Sequence, residues 1–399
     1  MKNEYGVEMP GGSEGHDFET LDPAWLRSKT GNKWRKHAPA LPAWVADMDF
    51  RPAPAITSHL TGLLDGGDLG YPRRDDNNRM RAVEAFATHM ARRHQWSIDP
   101  DRVREWNDVV QAVQAILHVA TQPGDGVVVH TPAYPPFFSA IEQTGCRLVA
   151  VPARIADGRV SFDHDELDAR LEREPARVLI LCNPQNPTGH VFGTDELARI
   201  LEIAARHDLL IVSDEIHADL VFDRRTHVPI ASLAGAEGRT VTVTSASKSF
   251  NLAGLRYAVS VCDAPHVAGR WSLLPDHLFG ATNIMGAEAA WAAWTHAGEW
   301  LDAVVAHLAR MRDLTLHLVG EHLPGVTVHR PDATYLAWLD CRATPVSENP
   351  HAAFRASGVE TSDGATFGPG GQGHVRLNYA TSSATLGQIV ATMGSALRP

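Results

Sequence analysis

Five short β-branched runs, with helix-like segments between several of them, constrain this chain more than any other feature. They are Val127–Val129, Val178–Leu181, Leu209–Val212, Thr240–Thr244 and Tyr257–Val261. Their hydrophobicity is continuous rather than alternating, which predicts strands covered on both faces. Helical segments such as Thr194–His207 lie between them, the mark of a largely parallel sheet. A chain of 399 residues exceeds the size at which one core usually splits, so one large and one smaller domain are expected. Past about residue 285 the composition turns helical and alanine-rich through Leu318. Two strand-like pieces, Thr334–Leu339 and His374–Asn378, and a closing helix follow. That predicts a smaller α+β domain at the C-terminus.

The N-terminal third is less regular. Residues 1–45 read as an arm. Gly11–Gly15 is flexible in composition, whereas Trp25, Trp34 and Trp44 need a surface to pack on, and a partner subunit is one candidate. Ala46-Asp-Met-Asp-Phe50, with Pro52 and Pro54 after it, reads as a turn entering the first helix. Asp68-Leu-Gly-Tyr-Pro72 is another turn, and residues 79–93 carry apolar side chains at helical period. Asn107 and Asp108 can cap a helix running through Val109, Val110, Val113, Ile116 and Leu117.

Composition removes several function classes. A formal net charge of -11 with no opposing basic patch argues against a nucleic-acid partner. No apolar run approaches about 18 residues, so no spanning helix is expected, and the acidic, polar start is no signal peptide. Cys146, Cys182, Cys262 and Cys341 lie far apart without CxxC spacing, which reads as reduced thiols in a cytoplasmic protein. The 21 histidines form no HExxH or paired-ligand pattern, so no metal is expected. Gly368-Pro-Gly-Gly-Gln-Gly373 precedes a strand rather than a helix, which favours a plain turn over a phosphate cradle.

The chemistry centres on Ser245-Ala-Ser-Lys248-Ser-Phe-Asn-Leu-Ala-Gly-Leu-Arg256, just past the strand Thr240–Thr244. An amine attacks a carbonyl only in its neutral form, so a working lysine here must be desolvated or set beside other cations. Ser245, Ser247 and Arg256 are groups that suit a phosphate: two hydroxyls and a planar fork of donors. Three further stretches fit a pyridoxal phosphate site around Lys248. In Asn183-Pro-Gln-Asn-Pro-Thr-Gly189 the prolines make a rigid turn that can aim Asn186 at a phenolic oxygen. Val212-Ser-Asp-Glu-Ile-His217 puts Asp214 at the carboxyl end of a strand, where α/β proteins place ligands. A carboxylate there can keep a pyridine nitrogen protonated, or it can simply cap a helix. Thr131-Pro-Ala-Tyr-Pro-Pro136 presents Tyr134 in a stiff loop, suited to stacking on a flat ring.

Together these stretches resemble aminotransferase fold type I, the pyridoxal-phosphate enzymes similar to aspartate aminotransferase. Within that fold the chain looks most like the class II aminotransferase-like C–S lyases, the cystathionine β-lyase group. The strings that carry the likeness are Leu41–Phe50, Pro123-Gly-Asp-Gly126, Thr131-Pro-Ala-Tyr134, Leu181–Gly189, Val212–Asp219, Ser247–Leu255, Thr334–Asp340 and Val375–Asn378. The resemblance implies a large pyridoxal-phosphate domain (46–285) with a mainly parallel seven-stranded sheet, and a smaller α+β domain (286–399). Residues 1–45 would be an arm that also contributes to the smaller domain.

It also implies roles. Lys248 would bond the cofactor and carry the proton of the substrate's α-carbon. Asp214 would pair with the pyridine nitrogen, Asn186 and His217 with the ring oxygen, and Tyr134 would stack on the ring. The backbone amides of Val109 and Val110, with Ser245, Ser247 and Arg256, would hold the phosphate. Tyr71 would reach in from the neighbouring subunit of a homodimer. Arg376, with Asn186, would clamp the substrate carboxylate.

Three residues depart from the lyase pattern. Asp108 stands where glycine is usual, Arg256 follows Lys248 by eight residues as in true aminotransferases, and Asp332 replaces a glutamate. The implied reaction is β-elimination from cystathionine or another cysteine S-conjugate, giving pyruvate, ammonia and a thiol. The rivals are transamination, deamination or decarboxylation of a modified cysteine in specialised metabolism, and a non-catalytic cofactor-sensing regulator.

Overall fold

The structure is a computed structural model that describes residues 16–156, 158–275 and 278–398, so Gly11–Gly15 lies outside it. In chain order its strands begin with β1 (Leu41–Pro42), β2 (Val103–Trp106), β3 (Gly126–Thr131), β4 (Arg147–Ala156) and β5 (Arg159–Phe162). They continue with β6 (Val178–Cys182), β7 (Leu210–Asp214), β8 (Thr240–Thr244) and β9 (Ala258–Cys262). The smaller strands are β10 (Thr327–Val328), β11 (Leu336–Asp340), β12 (Val359–Glu360), β13 (Ser362–Asp363) and β14 (His374–Asn378).

All five apolar runs are strands of one sheet, in the order β2-β9-β8-β7-β6-β3-β4-β5. Strands β4, β3, β6, β7 and β8 are parallel neighbours, while β9, β2 and β5 join by antiparallel pairing. The hairpin partner β5 adds an eighth strand to the seven expected. Continuous hydrophobicity is explained by two separate cores. Val127, Val129, Ile180, Val212 and Val243 face one, covered by the helices Val109–Ala120, Pro135–Gln143 and Pro265–Trp271. Val128, Leu179, Leu181 and Ile211 face the other, under His164–Arg173 and Thr194–Arg206. Alternate residues of a strand point to opposite faces, so both sets must be apolar.

The smaller sheet runs β10-β11-β14-β13, and β1 pairs with β12 in parallel. Residues 41–42 therefore belong to the same layer as the C-terminal segment. A third core, reaching from Phe18 to Leu397, unites this layer with the helices Pro54–Asp65, Arg81–His94, Ile284–His296 and Gly298–His322. The helical stretch past residue 285 is thus two helices, broken at Ala297. The arm tryptophans are half-buried and find partners on their own chain. Trp34 Nε1 donates to Asp49 Oδ1 at 2.7 Å and Trp44 Nε1 to the Lys33 carbonyl at 3.2 Å, while Lys29 and Arg51 sit over Trp25. The Gly368–Gly373 loop is a turn before β14, as expected. Among the described residues no helix is long and apolar enough to cross a membrane.

Candidate active site

Three parallel strands end side by side, and their register brings Cys182 opposite Asp214, and Asp214 opposite Val243. The chain beyond each end carries a candidate residue. After β6 the Asn183–Gly189 loop is locked by Gln185, whose Nε2 donates to the Pro132 carbonyl at 2.6 Å while its Oε1 accepts from Thr188 N at 2.9 Å. The loop closes at Gly189 with φ +71°, where a Cβ would lie 2.5 Å from Pro331 Cβ and 2.7 Å from the Ala333 carbonyl, so only glycine fits. Asn186 is thereby fixed over the strand ends, with Oδ1 accepting from Arg376 Nη1 at 3.0 Å.

At the end of β7 the adjacent carboxylates part company. Glu215 is structural: it accepts from Ser213 Oγ at 2.8 Å and pairs with the buried His227 at 2.9 Å. Asp214 turns into the cavity. No helix follows it, so it is not a helix cap, and its one bond is from Ile216 N at 3.1 Å. Burial raises its pKa from 3.8 to about 7. A carboxyl so desolvated gains from any cation placed against it, which suits a protonated pyridine nitrogen.

After β8, Ser245 caps the short helix Ala246–Ser249 by accepting from Ser247 N at 3.0 Å, and it donates to the Tyr257 carbonyl at 2.6 Å. Lys248 then projects into the cavity, and burial lowers its pKa from 10.5. Its Nζ donates to the Ala46 carbonyl at 2.8 Å. The segment it touches is unusual. Every carbonyl from Trp44 to Phe50 accepts a side-chain donor. Arg376 Nη2 and Ser362 take Trp44 O, both at 2.8 Å. Asn378 takes Val45 O and Asp47 O at 2.6 and 2.7 Å. Tyr335 joins Lys248 on Ala46 O at 2.9 Å, and Lys33 joins Asn378 on Asp47 O at 3.0 Å. Asn251 takes Met48 O and Phe50 O at 3.0 and 2.9 Å, and Lys29 takes Asp49 O at 2.9 Å. The expected turn is therefore a strap, pinned in place across the site.

The opposite end is built by the helix Val109–Ala120. Asp108 is its N-cap, accepting from Gln111 N at 2.7 Å, and its second oxygen accepts from Arg256. Asp108 does face the cavity, and Arg256 is engaged by it rather than standing alone. Ser245, Ser247 and the first residues of the helix, Val109 and Val110, line the same end.

The cavity between them measures about 670 Å³ and is lined by Lys248, Asp214, Asn186, His217, Tyr134, Arg376 and the residues of the serine end just named. Tyr134 precedes the helix Pro135–Gln143 and packs edge-on against Phe137. Burial, with Lys248 and Arg376 nearby, lowers the pKa of His217 to about 3, so its ring is neutral. Burial also lowers Arg376 to about 10. His217 Nδ1 and Arg376 Nε are buried without a partner, which is costly unless a ligand satisfies them. A desolvated amine, a desolvated carboxyl, unpartnered buried nitrogens and an end that carries serines and a guanidinium fit pyridoxal phosphate.

Tyr71, expected to serve a neighbouring subunit, and Asp332, one of the departures, lie outside this cavity. Tyr71 is fully exposed, and Asp332 pairs with Arg225 at 3.2 Å. Sequence reasoning assigned no role to Tyr335, Asn251 or Asn378, although each stands inside a string that resembles the family. Cys182, inside the Leu181–Gly189 string, also lines the cavity, as do Gln114 and Gln143, which nothing in their sequence context marks.

Residues 63–393 match the model of the family "Aminotransferase class I and II". The chain is 35% identical over 351 residues to cystathionine beta-lyase PatB of Bacillus subtilis, covering 87% of this chain and 90% of that one. It is 32% identical over 375 residues to a cystathionine beta-lyase of Corynebacterium glutamicum, covering 93% and 98%. Among solved structures, cystalysin from Treponema denticola, which contains pyridoxal 5'-phosphate, superposes with a TM-score of 0.87 at 28% identity, covering 96% of this chain and 98% of that one.

Proposed function

The chain belongs to the aminotransferase class I and II family, whose cofactor is pyridoxal 5'-phosphate, and from that premise we propose that it is a C–S β-lyase acting on cysteine S-conjugates. The observation that carries the reading is the shared strap. Arg376 holds Trp44 O and Lys248 holds Ala46 O, so a carboxylate clamp and a base stand two residues apart along one fixed segment. An α-amino acid carboxylate accepted by Arg376 would present its α-carbon to Lys248.

The cofactor, when bound, supplies the electron sink that makes the α-proton acidic. Asp214 would keep that sink cationic by accepting the pyridine N–H. Lys248, whose pKa burial lowers from that of a free lysine, would take the α-proton. The electron pair left behind expels thiolate from the β-carbon, and the enamine released hydrolyses to pyruvate and ammonia. Neutral His217 and Asn186 would donate to the ring oxygen, and Tyr134 would cover a ring face. Kinship with relatives named cystathionine beta-lyase supports elimination over transamination. All four cysteines are free in the structure, which is consistent with a reducing, cytoplasmic setting.

The test separates elimination from its rival. Given cystathionine or an S-alkyl cysteine and no keto acid, the holoenzyme is expected to release pyruvate, ammonia and thiol over many turnovers. Transamination aminates the cofactor and stops after one turnover. A single turnover that resumes only on adding a keto acid would make the chain an aminotransferase.

A further inference from the structure

The phosphate end carries a negative charge that a phosphate site does not need. Asp108 spends both carboxylate oxygens there: Oδ1 takes Gln111 N at 2.7 Å, one of the free amides of the helix N-terminus, and Oδ2 takes Arg256. The other cations lining the cavity, Lys248 and Arg376, are committed to the strap carbonyls of Ala46 and Trp44. Arg256 is therefore the guanidinium of the serine end. Its backbone is anchored. Asn283 Nδ2 donates to the Leu255 and Arg256 carbonyls at 2.9 and 3.4 Å, and Gly286 packs so tightly that a Cβ would lie 2.3 Å from Leu255 O. Only the side chain is free to choose a partner.

We propose that Asp108 competes with the cofactor's phosphate for Arg256 and for the amides of the helix N-terminus, and so sets how tightly pyridoxal 5'-phosphate is held. The inference rests on the reading above that this end of the cavity takes the phosphate. An ion pair whose arginine is 59% exposed contributes little by itself, so a phosphate dianion displaces the carboxylate or shares the guanidinium with it. Either way a fixed negative charge remains beside the dianion and opposes it. The helix N-terminus, which attracts anions, is likewise partly spent on the carboxylate.

Asn is as good an N-cap as Asp, so Asp108→Asn removes the charge while keeping the helix start. Cofactor-free wild type and variant are titrated with pyridoxal 5'-phosphate, following tryptophan fluorescence and visible absorbance. In parallel they are titrated with pyridoxal, which lacks the phosphate, and with inorganic phosphate as competitor. The variant is expected to bind pyridoxal 5'-phosphate roughly tenfold more tightly, the effect of one like charge near a partly exposed site. Inorganic phosphate should gain by a similar factor and pyridoxal by none. Equal or weaker binding of pyridoxal 5'-phosphate by the variant would overturn the proposal, as would an equal gain for pyridoxal. If inorganic phosphate competes with the cofactor in neither protein, the phosphate end itself is misassigned, and both readings fall.

Discussion

Lys248 Nζ lies 2.8 Å from the carbonyl oxygen of Ala46, a residue 202 positions earlier in the chain. The contact binds the strap to the loop after β8 and gives the amine a neutral acceptor rather than a carboxylate. A carboxylate partner would hold the proton on the lysine. A carbonyl satisfies one N–H and leaves burial free to lower the pKa.

Lys248→Ala protein is expected to be isolated without the visible absorbance of lysine-bound cofactor and to show no turnover. The fold should survive, since Tyr335 still holds Ala46 O. Absorbance spectra and circular dichroism check this. A variant keeping both the absorbance and steady-state activity would sink the assignment.

Asp214 gives a pH prediction for the cofactor-free protein. Its carboxyl has a pKa of about 7 in the fold against 3.8 unfolded, so between those values the native state binds more protons than the unfolded one. Stability from this group is complete below about pH 4 and is lost as the pH rises to 7, by at most roughly 4 kcal/mol. His217, lowered to about 3, tilts the profile the other way over pH 3 to 6.5, so the comparison is made by difference. Chemical denaturation of the cofactor-free forms should show Asp214→Asn gaining on wild type between pH 5 and 8. A constant difference across that range would contradict a raised carboxyl. The same variant should bind the cofactor more weakly, because an amide cannot neutralise the pyridinium.

Arg376→Ala should lower kcat/KM for every amino-acid substrate. Removing one partner of a dry guanidinium–carboxylate pair costs roughly 2–5 kcal/mol, about 30-fold or more in rate. Arg376 also holds Trp44 O, so part of the loss will come from a looser strap. Ser362→Ala, which removes another donor from that carbonyl, measures the part owed to the strap. Unchanged kinetics in Arg376→Ala would mean another residue takes the carboxylate.

In the single chain Tyr71 is fully exposed and Leu69 beside it is 55% exposed, so the Asp68–Pro72 turn is open to the second subunit that the family resemblance implies. On the homodimer reading Tyr71 completes the partner's phosphate site. Mixing inactive Tyr71→Ala with inactive Lys248→Ala subunits should then restore some activity, because one composite site is intact. An active enzyme that sediments as a monomer would refute this.

How far the sequence reaches depends on how local the cause is. The inner strands are legible because residues such as Val127, Val128 and Val129 serve two cores at once. The hairpin of β4 and β5 is not, since its far half is exposed and carries Arg154 and Arg159, so no apolar run announces it. Lys248, Asp214 and Asn186 are legible because each lies at the end of a strand or within a few residues beyond it. The Asp108–Arg256 pair is not, being a choice of rotamer across 148 positions. The strap is the clearest limit. Its bonds run through backbone carbonyls, which every residue has, so Ala46 and Met48 carry no mark of what grips them. Only the donors are visible as side chains, and the partners of Asn251, Asn378 and Tyr335 lie hundreds of residues away.

Arg376 and Asn378 occupy alternate positions of β14, paired across the ladder with Trp338 and Leu336, and Arg376 also faces Ser362 of β13. The side-chain period of a strand is two, so sliding β14 by one residue would exchange both for apolar neighbours such as Val375 and Leu377. The clamp and the anchor of the strap would vanish in a single step, and nothing else in the segment could replace them. The small sheet is therefore a gauge as well as a scaffold. A chain that misaligns it by one notch would lose the carboxylate clamp proposed at Arg376 and the strap anchor at Asn378 together.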